Sequence, residues 1–502
     1  MDLLTNKHKE HISGTLSCLD RVIITGTLPQ VCHSQGMTSY LYGSGVRIFD
    51  YPQFAEPFKE ELRTNAERLV KDNGIEIEFV AKSHIRKEDL VQKALKQRGP
   101  HPTGLVHILS AMEACSSYRP WHDKQSGKTY LRGSQSKCLH YYFYFIDPYL
   151  GFGYIRVPTW CPFKLQIYFN GHNILANELD KQGIKYSMID NAFDFIEDFD
   201  KAQEICDEID LKKVHNQFDK LAKTYCPVHQ SFNQVYHWSI MQAEYATDIV
   251  FKKQEYLQSI YSELVATAIH TVKPDNIATF LGHKVDPRYQ GEIGNNYNIR
   301  IEGSRIKHSM GKSSIKMYDK FSKILRIETT TNDVSFFKHY REVEHRNGTT
   351  SMQYTSLKKN LYSLTLLTIL FKASNKRYIG FISAFDNKEA GRKRLDKITK
   401  SKQENNRRYK GFNLFCQDDL ALLLNILRGE FNIYGFRNKN LRARLSGFNT
   451  GKISRLIKRL HVFGLIKKAA KTYRYYLTKL GKEVIITAQK LKETVLIPAL
   501  NY

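Results

Sequence analysis

The densest pattern of β-forming positions lies between Cys138 and Asn170, where aromatic and branched residues come in bursts broken by Asp147-Pro148, Gly151, Gly153, Pro158 and Pro162. That punctuation predicts a strand, a turn and two further strands in a meander. Upstream, Arg21 to Gly26 reads as a strand, Pro57 to Lys71 as a helix, Ile75 to Ala81 as a second strand, and Lys87 to Arg98 as a basic helix. Downstream, His172 to Gln182 has helical spacing with Gly183 as its stop. Long helices are expected over Ala202 to Tyr225 and Gln242 to Thr271, with an acidic stretch from Asp190 to Asp210. Three β-like runs follow at Asn298 to Glu302, Ser313 to Asp319 and Lys323 to Thr329, separated by Gly, Ser and Asp. They suit an antiparallel meander, and a helix is expected from Tyr354 to Phe371.

The C-terminal pattern differs. Leu420, Leu423, Leu424 and Leu427 make one apolar face of a helix that starts after Gln417-Asp418-Asp419 and ends at Gly429. A second helix is expected from Asn438 to Leu445, and a third from Thr450 to Phe463 with Ile453, Leu456, Ile457, Leu460 and Phe463 inward. This leaves Lys452, Arg455, Lys458 and Arg459 facing out. Leu465 to Lys468 and Tyr473 to Thr478 then read as a β-hairpin carrying Lys467, Lys468, Lys471 and Arg474, before a closing helix from Lys479.

Charge gives that layout a purpose. The 502 residues carry a formal net charge of +26 with 42% apolar residues, enough to bury large cores while favouring a polyanionic partner that gives up counterions on contact. Nucleic acid is the first expectation and an acidic membrane surface the second. The opening residues lack a secretory apolar core, and the longest apolar run, Leu361 to Phe371, is too short to span a bilayer, so a cytoplasmic protein is expected. Eight scattered cysteines without a C-x-x-C pair fit reduced thiols. Cys226-Pro-Val-His229 is a ligand-like spacing that reads more readily as packing.

The stretch GKISRLIKRLHVFGLIKKAAKTYRYYLTKLGKEV resembles the winged helix-turn-helix domains of MarR-type bacterial regulators in its recognition helix, its GLI transition, its wing and its LT..G exit. The resemblance implies a fold whose third helix enters a major groove while the wing reaches phosphates or the minor groove. The chain as a whole looks like long bacterial proteins associated with mobile elements. The fold class expected is therefore α+β: a mixed α/β N-terminal body with antiparallel meanders, and a C-terminal winged helix-turn-helix. Its expected division is 1–135, 136–385, a basic linker at 386–411 with ten Lys or Arg from Asn387 onward, and 412–502.

Strand alternation puts Ser314, Lys316, Tyr318 and Lys320 on one face, and Arg326 with Glu328 on one face of the next run. Where such faces coincide, a phenol can attack a DNA phosphorus, with a carboxylate taking a proton or holding a metal and the cations offsetting charge. Lys-Met-Tyr-Asp-Lys followed by Leu-Arg-Ile-Glu also resembles the YDK and R-x-E pattern of some plasmid rolling-circle replication initiators, although the chain contains no His-hydrophobe-His motif. Asp20, Glu244 and Asp248 are the other candidate metal ligands, Glu244 and Asp248 by i,i+4 spacing on a helix. An enzyme of this kind would use Mg²⁺ or Mn²⁺.

The aromatic segment has two readings. Tyr141, Tyr142, Tyr144, Tyr149, Tyr154, Trp160 and Tyr168, with Arg156 and Lys164, either stack unpaired bases or form the core of a sheet, and His140 reads as a packed histidine. The functional readings that stand are a DNA-binding protein for mobile-element maintenance or regulation, a metal-assisted nickase, replication initiator or transposase-like enzyme, and a binder of structured RNA.

Overall fold

The computed structural model describes residues 3–82, 84–98, 103–285, 289, 291–300, 303–383, 398–413, 416–445, 447–469 and 472–490. It is α+β. A short helix α1 (Leu3–Lys7) precedes β1 (Ile12–Thr27), which contains the expected Arg21 strand. Next come α2 (Ser34–Gly43), α3 (Tyr51–Asn73), β2 (Ile77–Phe79) and α4 (Lys87–Arg98). A long antiparallel hairpin, β3 (Gly104–His122) and β4 (Thr129–Asp147), leads into β5 (Gly151–Pro158) and β6 (Leu165–Asn170). The aromatic meander is thus present, and α5 (Gly171–Gln182) stops at Gly183 with φ 68°.

The chain then forms a hairpin, β7 (Tyr186–Ile189) and β8 (Ala192–Ile196), followed by α6 (Phe199–Asp207) and α7 (Leu211–Tyr225). One long helix was expected over α6 and α7, but Asp210 caps a new start by accepting from the amides of Lys212 and Lys213. A larger difference follows. Residues from Gln242 onward are not helical: β9 (His237–Phe251) is a strand, and the helix α8 (Gln254–Thr271) begins only after Lys253. β9 is buried on both faces along its second half, so it lacks the alternation by which a half-exposed strand is recognised.

After α9 (Pro274–Phe280) come four antiparallel strands rather than three, β10 (Ile293–Arg300), β11 (Gly303–Met310), β12 (Ser313–Lys320) and β13 (Ile324–Thr331). A hairpin, β14 (Lys338–Glu344) and β15 (Thr350–Ser356), occupies the expected start of the Tyr354 helix, which instead begins as α10 (Leu364–Ser383). Of the basic run, 386–397 lies outside the described residues, and β16 (Lys402–Glu404) pairs with β17 (Arg407–Tyr409). The C-terminal part has α11 (Gln417–Ile426), α12 (Gly429–Tyr434), α13 (Asn438–Arg442), α14 (Thr450–Val462), β18 (Ile466–Lys468), β19 (Tyr475–Leu477) and α15 (Lys479–Lys490). Gly429 therefore begins a short helix as well as following the first one.

Two compact units share this chain. The N-proximal unit comprises Ser17–Tyr245 and Thr331–Thr368, and the C-proximal unit Met1–Leu16, Ala246–Thr330 and Ile369–Tyr502. In the N-proximal unit the sheet order is β1-β6-β5-β4-β3-β2, antiparallel except for the parallel β2–β3 pair. Alternation sorts the aromatic segment: Phe143 stacks on Tyr225 of α7 at 4.7 Å and Phe169 meets Phe218, while Tyr142 and Tyr144 face the other way, against Val91 of α4. Tyr141, Tyr142, Tyr144 and Tyr149 are buried, and Tyr154, Trp160 and Tyr168 are half-buried.

In the C-proximal unit the order is β10-β11-β12-β13-β9, with α8 and α9 against β11. The helices α11 to α14, the β18–β19 hairpin and α15 enclose a core of Leu422, Ile426, Leu441, Ile453, Leu460 and Val484. Gly435, at φ 65°, allows a backbone bridge between Phe436 and Tyr475; a Cβ there would lie 2.8 Å from the Tyr475 carbonyl.

His308 of β11 is buried between Asn295 Oδ1 (2.7 Å) and Tyr378 Oη (3.1 Å), and burial lowers its pKa to about 4. An imidazole that resists protonation when folded costs stability wherever the unfolded chain takes up the proton. Stability therefore holds above pH 6.5 and falls as pH drops towards 4, by about 3 kcal/mol from this group. Urea unfolding between pH 7 and 4 will follow that decline, and His308→Asn will start lower but lose less over the same range.

Candidate functional site

The site is built on β12 and β13. Every residue of β13 is buried, although Arg326, Glu328, Thr329, Thr330 and Thr331 are polar. Such a strand is stable only if each polar group meets a partner. Arg326 forms a two-pronged bond with Asp248 of β9, Nε and Nη2 each 2.7 Å from a carboxylate oxygen. On the same face, Lys316 Nζ donates to Glu328 Oε1 at 2.5 Å, Tyr318 Oη to Glu328 Oε2 at 2.8 Å, and Thr330 Oγ1 to Oε1 at 3.1 Å. The two predicted faces do coincide.

Burial alone would raise the Glu328 pKa, but the Lys316 ammonium, Arg326 and the Tyr318 hydroxyl outweigh it and hold the carboxyl well below its ordinary range. Glu328 is thus an ionised acceptor that aims the Tyr318 phenol. Tyr318 and Lys316 are half-buried, a position from which both can meet a ligand without being fully solvated. Arg326 is different. It is 0% exposed, with Nε and Nη2 both on Asp248, a placement that supports the fold and differs from its expected place among the reacting groups. Lys320 is half-buried with its ammonium 5.1 Å from the centre of the Phe321 ring.

Of the predicted metal ligands, Asp248 parts from Asp20 and Glu244. Asp248 is withdrawn into the pair with Arg326, and it lies with Glu244 on a strand, not a helix. In the N-proximal unit, Asp20 and Glu244 present carboxylate oxygens within 4.8 Å of each other. Asp20 Oδ1 accepts from Asn170 Nδ2 (2.8 Å) and Asn191 Nδ2 (2.7 Å), with His172 Nδ1 at 3.6 Å. These hard oxygen donors fit Mg²⁺ or Mn²⁺. Asn170, His172 and Asn191 were missed in the sequence because nothing in their spacing links them to Asp20. Cys226 and His229 make internal contacts: Cys226 Sγ lies 3.4 Å from Tyr236 Oη, and His229 Nδ1 lies 3.0 Å from the Cys226 carbonyl. All eight cysteines are free thiols.

The C-terminal cations also divide. Arg459 was expected to face out, but it is held by both oxygens of Asp419 (2.8 and 2.9 Å), by the Lys410 and Gly411 carbonyls, and over the Phe412 ring at 4.0 Å. It joins α14 to α11 and to the segment before it. Lys452 bonds Asp418 at 3.1 Å and covers Phe448, and Lys458 lies 3.4 Å from Glu404 at an exposed position. Arg455 is exposed and has no partner among the described residues. Lys467 and Lys468 are exposed on β18, Arg474 is half-buried, and Lys471 lies outside the described residues. A groove of about 300 Å³ between α14 and the hairpin is lined by Asn438, Ser454, Lys458, His461, Lys468 and Tyr473.

No family model and no curated protein matches the chain. Among solved structures, a rolling circle replication initiator from Geobacillus stearothermophilus aligns over 71% of this chain and 97% of its own, at 9% identity and a TM-score of 0.20. Similarity at that level does not establish a common fold. Among the described residues, no helix is long and apolar enough to cross a membrane.

Breaking the buried pair will test how far β13 depends on it. Arg326→Leu leaves Asp248 charged without a partner and will cost about 3–5 kcal/mol in urea unfolding, whereas Arg326→Leu with Asp248→Leu will recover most of that loss. A double variant as unstable as the single one would show that the charges themselves are not the source.

Proposed function

We propose that the chain is a DNA-binding protein that cleaves one strand through Tyr318. The observation that carries this reading is the Tyr318–Glu328–Lys316 constellation, in which a half-buried phenol points at an ionised carboxylate beside an ammonium. In the reaction, Tyr318 Oη bonds to a backbone phosphorus while one P–O ester bond breaks. The strand end leaves as a hydroxyl, and the protein keeps the phosphate as a phosphotyrosyl ester.

Glu328 is too acidic to retain the phenol proton in the ground state. Its role is to fix the orientation of Oη while the proton passes to solvent, and Lys316 offsets the negative charge that develops. Within the N-proximal unit, Asp20 and Glu244 would hold Mg²⁺ or Mn²⁺. The C-terminal helices and hairpin form the winged helix-turn-helix that holds duplex DNA, through Arg455 and Lys458 on α14 and Lys467 and Lys468 on β18. The net charge of +26 favours such a partner.

Supercoiled plasmid incubated with the protein and Mg²⁺ or Mn²⁺ will become nicked, and denaturing gels will show protein joined to one strand end. Tyr318→Phe will abolish both products, and Glu328→Gln, which loosens the positioning of Oη, will slow nicking about 10²-fold. Nicking that survives in Tyr318→Phe ends the phosphotyrosyl reading. If no metal or substrate yields nicking while DNA is still bound, the protein is a binder alone.

Binding is separable from cleavage. Arg455→Ala and Lys458→Ala will each weaken duplex binding and reduce the slope of log K against log salt by about 1. Arg459→Ala will instead lower the melting temperature. Unchanged binding in both of the first two variants would remove α14 from the interface.

A further inference from the structure

A second cavity, of about 420 Å³, opens in the N-proximal unit on the sheet face opposite α7. The register sets its floor: Tyr142 pairs with Arg156 and Arg156 with Gln166, so these side chains share a face across β4, β5 and β6. Glu113 ties the floor together. It accepts from Lys87 (2.6 Å), Tyr142 (2.8 Å) and Arg156 (2.8 Å), and these bonds overcome burial to bring its pKa to about 2. Glu113 neutralises only one of the two cations that bind it, so the floor keeps a positive charge.

The walls and rim carry polar groups that have no side-chain partner among the described residues. His140, 1% exposed, lines the cavity; its Nδ1 donates to the Cys138 carbonyl at 3.0 Å, which leaves Nε2 as an acceptor with no partner among the described residues. Burial, helped by Arg156, lowers its pKa to about 4, so that acceptor persists at neutral pH. Trp160 and Lys164, from the β5–β6 loop, and Gln135 of β4 also line the cavity. The indole N–H, the ammonium and the Gln135 amide likewise have no side-chain partner among the described residues.

We propose that this cavity binds a nucleotide. A flat indole wall suits a base, the imidazole acceptor and the amide suit its polar edge, and Lys164 with the net positive floor suits a phosphate. Glu113 keeps Arg156 and the Tyr142 hydroxyl in place and acts as a positioning residue. The inference rests on this cavity and not on Tyr318, so the two can fail separately.

The nucleotide could be free or part of an unpaired strand, and two probes distinguish these. The full-length Tyr318→Phe protein, which removes cleavage from the assay, is titrated with dTMP by calorimetry and with a labelled twelve-residue oligo-dT by anisotropy. We expect both to bind at one common site, with dTMP displacing the oligonucleotide, and Trp160→Ala and Lys164→Ala each weakening dTMP at least tenfold. Lys164→Ala changes an exposed residue and keeps the test valid if Trp160→Ala folds poorly. Binding of dTMP with no displacement of the oligonucleotide supports a free-nucleotide site. No dTMP binding, or dTMP affinity unchanged in Lys164→Ala and Trp160→Ala, overturns the proposal.

Discussion

The ion pairs on β13 are the constraint on which the C-proximal unit depends. A strand buried along its whole length carries an arginine and a glutamate, and neither can enter an interior unpaired without a cost of several kcal/mol. Asp248 and Lys316 resolve this from the two neighbouring strands. The register of β9, β13 and β12 is therefore fixed by charge as well as by apolar packing. A slip by one residue would turn Arg326 and Glu328 to the opposite face and strand both. The hydroxyl of Tyr318 completes the arrangement by donating to Glu328, so the same charge network that fixes the register also fixes the orientation of the phenol.

The same economy governs the C-terminal cations. A basic helix looks uniform in sequence, but its charges divide by depth. Arg459 is spent on Asp419 and on backbone carbonyls, which anchors α14, while Arg455 and Lys458 project outward. The glutamate Glu430 plays the opposite part. It lies 3.2 Å from Lys284 and 2.7 Å from Arg444, and with the Arg428–Asp275 pair it joins α12 to the α9 region of the same unit. The basic module is thus braced against α9, which packs on β10 and β11, through side chains that a count of net charge would treat as equivalent.

Much of this was legible in the sequence where a residue pattern meets one physical demand. The meander from Cys138 to Asn170, the helix ending at Gly183 and the order of the C-terminal helices and hairpin follow from turn residues and apolar spacing. The shared face of Lys316, Tyr318 and Glu328 follows from alternation once the strands are recognised. What escaped was set by burial on two sides or by distant pairing. β9 shows no alternation because both faces of its second half are covered, and β11, rich in polar residues, hides a histidine whose partners are 13 and 70 residues away. Asp20 met Asn170 and Asn191 across 150 and 171 residues, a distance over which no local spacing can act. The inward turn of Arg459 was missed because helical periodicity assigns a side, but not whether a carboxylate waits at the boundary.

The division of the chain also bears on the order in which the protein forms during synthesis. Almost all of the N-proximal unit is encoded by Ser17–Tyr245, whereas the C-proximal unit needs segments from both ends of the chain and from its middle. Domains acquire structure from the amino end as they emerge, at about 5–20 residues per second. The sheet bearing Tyr318 must therefore wait for α10 and the last hundred or so residues before its outer layers close. Until then β13 would hold charged groups on a surface that has yet to be covered, so the nascent chain gains the cavity beside Trp160 well before Tyr318 gains a fixed place.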